Sequence, residues 1–294
     1  PTISADGKLL YFIVESHPGN NQAKKDKYAQ DIWYSELSAD GKWGAPVHAA
    51  APLNDQKDNA VFWVSPDGNR LLIRGAYVNG KYAGRGFSFV TKTSGGWSAP
   101  EKLNIIGLDQ MNVDRYGGAF LSNDGKSLLL YFSEEKNSYQ NDLYVSHLTD
   151  NNEWTKPQNL GEVINNEETD EITPCLAADG LTLYFSSDRK GGFGDHDIWM
   201  SHRLDDSWTK WSQPVNLGNP INTSKWDAYF AVDATGELGY FASTQNAVGG
   251  SDLVRINSGG TVTPKEGQNV VFLNASEPQV QCTATTRSEE HTSE

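Results

Sequence analysis

The chain has 294 residues, with 24 basic against 38 acidic side chains and a formal net charge of −14. That acidity argues against nucleic acid or an anionic membrane surface as a partner, and no apolar run approaches the roughly 20 residues that cross a bilayer. Cys175 and Cys282 are too few for a disulfide framework, and Cys175, inside TPCLA, reads as a buried thiol.

Along the chain, Asp-Gly followed by an apolar strand recurs as DGKLLYF from Asp6, DGNRLLI from Asp67, DGKSLLLYF from Asp124 and DGLTLYF from Asp179, with a worn copy, TGELGYF, from Thr235. The glycines fall at 7, 68, 125, 180 and 236, steps of 61, 57, 55 and 56 residues. Between them stand an acidic strand opener (DIWYS at Asp31, DLYVS at Asp142, DIWMS at Asp197, DLVRI at Asp252, with GFSFV at Gly86 as the second copy) and a Trp-x-x-Pro marker at Trp43, Trp97, Trp154 and Trp211. Three ordered markers at one period define a repeat that carries several short strands, the size of a propeller blade or solenoid coil.

Each repeat reads as four strands, in the fourth copy a (ITPCLAA), b (LTLYFSS), c (DIWMSHR) and d (around WSQPVNLG). Asp-Gly between a and b supplies the positive φ of a tight hairpin. Strands b and c are apolar at consecutive positions, as in Leu183, Tyr184, Phe185 and Ile198, Trp199, Met200, so both sheet faces must be covered. With no convincing helical stripe to cover them, neighbouring blades must. The expected fold class is therefore all-β, a closed β-propeller with five visible four-stranded blades and residues 1 to 5 beside the last blade; a sixth blade completed by sequence ahead of Pro1 also fits the spacing. The Trp-x-x-Pro tryptophans are expected to pack the outer strand against a neighbour.

The pattern P-x-x-S-x-D-G-x-x-L-Y-F, then D-I-W/Y-x-S, then W-x-x-P-x-N-L resembles the PD40 (WD40-like, TolB-type) β-propeller repeat over residues 1–256. The resemblance implies a bacterial cell-envelope protein, exported and periplasmic or outer-membrane-associated, of the kind in which the propeller precedes an OmpA-like domain. It implies protein or peptidoglycan-associated partners and no membrane insertion of this segment. Residues 257–286 read as a linker or the start of a following β domain, with QNVVFLN at 268–274 as its opening. The tail RSEEHTSE, Arg287 to Glu294, reads as translated adapter sequence.

The glycine-rich stretch GGFGDHD from Gly191 lacks both dinucleotide and Walker spacing. It reads as a b–c loop with Asp197 folding back on the loop amides, and Asp31, Asp142 and Asp252 are expected to act as the same kind of turn residue. No cofactor is expected; the alternative is a calcium site at Asp188, Asp195 and Asp197, without the EF-hand spacing.

Antiparallel order puts the short, uniform a–b and c–d turns at one end and the long, individual b–c and d–a loops at the other. Binding is expected at the loop end, and the turn end is expected to be inert. Eight residues before each turn Asp, or its equivalent, stand Asn59, Tyr116, Glu171 and Asp227, read as a polar ring around the channel mouth or as strand starts that meet water. Arg115 and Trp226 sit beside them as typical anchors. No catalytic constellation is found, so the function expected is a non-catalytic interaction scaffold. The alternative is a carbohydrate-active propeller, glycoside hydrolase or lectin-like, using carboxylates such as EETDE at Glu167–Glu171.

Overall fold

The structure is a computed structural model that describes residues 1–20, 30–114, 116–233, 235–236, 238–248, 250–257 and 269–273. Arg115 and the tail from Arg287 to Glu294 lie outside the described residues. Blade 1 comprises β1 (Thr2–Ile3), β2 (Leu9–Glu15), β3 (Gln30–Glu36) and β4 (Val47–His48). Blade 2 comprises β5 (Val61–Val64), β6 (Arg70–Val78), β7 (Lys81–Thr93), β8 (Gly96–Trp97) and β9 (Glu101–Lys102), with β8 and β9 both pairing β7. After a single turn of helix, α1 (Leu108–Met111), blade 3 comprises β10 (Gly117–Leu121), β11 (Ser127–Phe132), β12 (Asp142–His147) and β13 (Gln158–Asn159). Blade 4 comprises β14 (Glu171–Leu176), β15 (Thr182–Ser187), β16 (Asp197–His202) and β17 (Val215–Asn216); blade 5 comprises β18 (Asp227–Val232), β19 (Leu238–Ser243), β20 (Asp252–Asn257) and β21 (Asn269–Leu273).

Every described strand pairing within the blades is antiparallel, and the chain is a five-bladed β-propeller. The segment read as the opening of a following domain supplies, at Asn269–Leu273, the outermost strand of blade 5, paired with β20. The inner strands β1, β5, β10, β14 and β18 follow one another around the axis, and β1 also meets β18, which closes the ring directly between blades 5 and 1.

The reason both faces of b and c are apolar is visible in β11. Leu128, Leu130 and Phe132 pack with Leu72 and Phe89 of blade 2, while the alternate residues Leu129 and Tyr131 pack with Leu183 and Phe185 of blade 4. With period-2 side chains, a strand between two neighbours divides its apolar residues between them. Five clusters occupy the five seams, the last joining Ile3, Leu10, Phe12 and Trp43 of blade 1 to Tyr240 of blade 5, with the Trp43 and Tyr240 rings edge to face at 5.9 Å. Trp154 and Trp211 are likewise buried against the preceding blade.

The a–b turns repeat almost atom for atom. Gly7, Gly68, Gly125, Gly180 and Gly236 take φ between 69° and 71°, the left-handed region that glycine enters without steric cost. Ser4, Ser65 and Ser122 each donate a hydroxyl hydrogen bond to the turn Asp two residues on, at 2.6, 2.5 and 2.5 Å. Each also accepts the amide five residues on. In blade 5 Asp233 stands at the serine position and accepts both the Leu238 amide and the Thr235 hydroxyl, so the worn copy keeps the turn.

Blade 2 departs from expectation at its b–c connection, read as a loop across RGAYVNGKYAGR. Instead β6 and β7 continue outward as a hairpin that turns at Asn79 (φ 51°) and Gly80 (φ 72°), the Asn-Gly pair that a two-residue turn favours. This also explains Gly86 in place of the acidic opener, because at that point the strand has no folded loop for a carboxylate to bond.

Candidate binding face

Two layers of side chains build the loop end of the propeller. The lower layer is buried and holds the loops in place. Asn54, Asn165 and Asn222 each clamp the first apolar residue of a c strand: Asn222 Oδ1 accepts from Ile198 N, and its Nδ2 donates to Ile198 O, both at 2.8 Å. Asn54 does the same to Ile32, and Asn165 to Leu143. The acidic opener joins the clamp through the d strand, as Asp31–His48–Asn54, Asp142–Asn159–Asn165 and Asp197–Asn216–Asn222.

Asn59, Glu171 and Asp227, expected as a ring facing the channel, belong to this lower layer. They are at most 2% exposed. Each accepts the amide of the residue that follows a clamp asparagine: Asp55 N to Asn59, Asn166 N to Glu171 and Thr223 N to Asp227. Each also gives its own amide to the b–c loop of the preceding blade, to the carbonyls of Gln30, Asn141 and His196. The strand starts are polar because they fasten three chain segments at once, which is a different cause from contact with water or ligand.

Burial pushes the carboxyls of Glu171 and Asp227 up from their usual range, while hydroxyl bonds oppose that, from Thr169 and Ser187 to Glu171 and from Ser243 and Thr223 to Asp227. Arg189 pairs with Glu171 at 3.1 Å and lies 4.7 Å over the Phe185 ring. The densest acidic group in the sequence thus sends its last carboxylate into the core.

The stretch GGFGDHD is the b–c loop of blade 4. Asp197 accepts from the amides of Phe193 and Gly194 and from Asn216 Nδ2, and Asp252 accepts from the Val248 amide in blade 5. The glycines have separate causes. A Cβ on Gly192 would lie 2.4 Å from Asp197 Oδ2, and one on Gly194 would lie 2.0 Å from Lys225 O, where the loop meets the d–a loop of blade 5. Asp188 meanwhile accepts from the Asp170 amide. Among the described residues no three His, Cys, Asp or Glu side chains come together as a metal-ligand group.

The upper layer is exposed and aromatic. Trp226 is half-buried, its ring 5.6 Å from that of Tyr229 and 6.4 Å from that of His196. His196 meets Asp170 at 3.1 Å, and Asp170 accepts from both Asn141 nitrogens. Tyr116 is 46% exposed, and Tyr82, Tyr139 and Phe193 stand out on b–c connections. Every exposed aromatic side chain among the described residues lies at this end or, for Tyr229, on the channel wall just below it.

The axis itself carries a feature that the sequence does not announce. Tyr131 and Tyr229, from blades 3 and 5, line the same channel cavity, with Arg74 of blade 2 close enough to influence both phenols. Burial raises both phenols above their ordinary value. Tyr131 reaches the axis because residue 118 is glycine: a Cβ there would be 2.4 Å from the Tyr131 ring. Tyr229 holds φ 59° and Thr173 φ 54°, uncommon for residues with a β-carbon, at bulges in β18 and β14. The Tyr229 amide donates to Thr173 Oγ1 across the seam. A glycine pair inside an inner strand was the available sign of a close approach.

No protein-family model matches the chain, and no curated protein does. Solved structures do. A Dyadobacter fermentans protein described as of unknown function is similar with a TM-score of 0.52 at 11% identity, covering 93% of this chain and 81% of that one. A structure described as a TolB of Agrobacterium tumefaciens has a TM-score of 0.48 at 19% identity, covering 92% and 78%. A periplasmic gluconolactonase of Pseudomonas aeruginosa has 0.45 at 12%, covering 97% and 83%. At 11% identity the likeness to the Dyadobacter fermentans protein speaks for the fold alone.

Proposed function

We propose that this propeller is a non-catalytic, exported scaffold that binds a protein or peptidoglycan-associated partner of the bacterial cell envelope through its b–c and d–a loops. One observation carries the reading: the exposed aromatic side chains Tyr82, Tyr116, Tyr139 and Phe193 come from blades 2, 3 and 4, yet all sit at the loop end, the end that also carries Trp226. Large aromatic side chains are the typical anchors of protein contacts, and interlocked loops hold them without a large ordering cost. The envelope setting rests on the repeat resemblance. No helix among the described residues is long and apolar enough to cross a membrane.

The test is recovery of partners from an envelope extract by wild type, by a Trp226→Ala/Tyr116→Ala variant and by Lys126→Ala at the opposite end, each shown to be folded by circular dichroism. The reading expects the double variant to lose a specifically recovered partner and Lys126→Ala to keep it. Equal recovery by the double variant, with loss from Lys126→Ala, overturns it.

A further inference from the structure

Six residues after the turn glycines stand Ile13, Arg74, Tyr131, Ser186 and Ala242. The five are equivalent in the fold, each paired with the first apolar residue of its c strand: Ile32, Phe87, Leu143, Ile198 and Leu253. Four blades fill the position with an uncharged residue, so the repeat itself does not call for the cation that blade 2 puts there.

The Arg74 guanidinium lies 5.5 Å over the Phe62 ring, and Phe62, Tyr131 and Tyr229 line one channel cavity. Arg74 Nη1 donates at 3.3 Å to Oε1 of Gln30, the first residue of β3, whose carbonyl accepts the Asn59 amide at the d–a connection into blade 2. Tyr229 is 37% exposed, and its ring meets that of Trp226 on the d–a loop of blade 5. Both contacts belong to the loop end, and the half-buried Arg74 side chain is open to solvent there.

What this guanidinium lacks is an anion. Arg189 and Arg203 pair with Glu171 and Asp206, whereas among the described residues Arg74 has only the neutral Gln30 side chain as a hydrogen-bond partner. Burial raises the phenols of Tyr131 and Tyr229, so neither is an anion at neutral pH. Glu15 and Asp170 also act on Tyr229, less strongly than Arg74 does, and both are engaged elsewhere. Glu15 accepts from Gln30 Nε2 at 2.5 Å, and Asp170 accepts from Asn141 and meets His196. A charge held partly out of water without a counter-charge costs free energy, and the planar fork of arginine matches the two oxygens of a carboxylate. One cation among neutral groups balances a single negative charge rather than a phosphate dianion.

We infer that Arg74 forms a carboxylate site in the loop-end mouth of the channel, which receives a C-terminal or side-chain carboxylate of a peptide. Phe62, Tyr229 and Trp226 are the apolar wall for the residue beside that carboxylate. The inference rests on the reading of the loop end as the partner face and adds the chemistry that the partner must carry.

The test is calorimetric titration and saturation-transfer NMR with three peptides: N-acetyl-alanyl-phenylalanine, its neutral C-terminal amide, and N-acetyl-glutamyl-phenylalanine amide. At least one of the two acids should bind saturably and about tenfold or more tighter than the neutral amide, a difference of about 1.4 kcal/mol. Preference for the first acid assigns a chain terminus, and for the second a side chain; either supports the site. Arg74→Met, which keeps the stem over Phe62 and removes the charge, should abolish the preference, and Arg74→Lys should retain part of it. Circular dichroism and urea midpoints establish that both variants are folded. Equal affinity for acids and amide, no saturable binding, or an acid preference unchanged in folded Arg74→Met overturns the inference, as does inorganic phosphate displacing the acids at a concentration equal to theirs. These titrations use no envelope extract. Partner loss from the Trp226→Ala/Tyr116→Ala variant together with equal affinity for the three peptides therefore overturns the carboxylate site and leaves the partner face standing.

Discussion

Asn222→Ala removes one clamp between a d–a loop and a c strand. Asn222 is 1% exposed and Ile198 is fully buried, so when the amide is cut away no water replaces it at the Ile198 N–H and C=O. Both main-chain groups lose 2.8 Å bonds at once. The Ile198 C=O keeps the Leu217 amide, so the N–H alone is left without a partner, at a cost of about 1–3 kcal/mol, a sizeable part of the roughly 5–15 kcal/mol by which a domain is stable. Loss of the Asn216 contact loosens the same corner. The assay is urea unfolding at neutral pH, where the midpoint should fall with the slope nearly unchanged. Asn216→Ala, on a more exposed residue that bonds side chains and the Gly218 amide, should cost less. A loss below about 1 kcal/mol for Asn222→Ala, or a larger loss for Asn216→Ala, would refute the clamp as the device that fixes c strands to loops.

Other expectations can be checked on the same unfolding curves. Gly194→Ala should cost more than about 2 kcal/mol, because its Cβ meets backbone at 2.0 Å, whereas Gly125→Ala, with nothing within 4 Å, should cost only the roughly 1–2 kcal/mol of a left-handed residue; the reverse order counts against the loop docking described for blades 4 and 5. Asp197→Ala should cost about 1–3 kcal/mol through its loop amides, with no dependence on added calcium; a calcium-induced rise in melting temperature that the variant loses would identify a metal site instead. Asp6 has a lowered folded-state value, chiefly from the Ser4 hydroxyl, so its contribution is complete above about pH 4 and is lost as pH falls through the lowered value. Asp6→Asn should therefore make stability fall less steeply below about pH 4, and an unchanged acid limb would refute the assignment.

The ring was legible because its determinants are local. A positive φ at each Asp-Gly and apolar residues on both strand faces leave few arrangements other than blades packed on blades, and Trp43 to Tyr240 shows the same logic closing the circle. The blade 2 hairpin was misread although Asn79-Gly80 was in plain view, because the repeat spacing suggested a loop. The misplacement of Asn59, Glu171 and Asp227 has a deeper cause: a polar residue at a strand start has the same sequence signature whether it meets solvent or gathers three backbone segments. The clamp asparagines were passed over because each bonds a residue 22 or 24 positions away, a relation that a single sequence does not display. Tyr131 and Tyr229 reach the axis through a glycine and a bulge, and bulges change register without a reliable composition cue.

Which end of the propeller meets its partner is the claim on which the functional account stands, and site-specific photo-cross-linking measures it directly. A benzophenone amino acid would replace Tyr139 or Phe193 on the b–c connections, 81% and 56% exposed, or Leu181 and Lys126 beside the a–b turns, followed by irradiation in envelope extract. The account predicts the same discrete adduct from Tyr139 and Phe193 and none from Leu181 or Lys126. Adducts from Leu181 and Lys126 alone would contradict it.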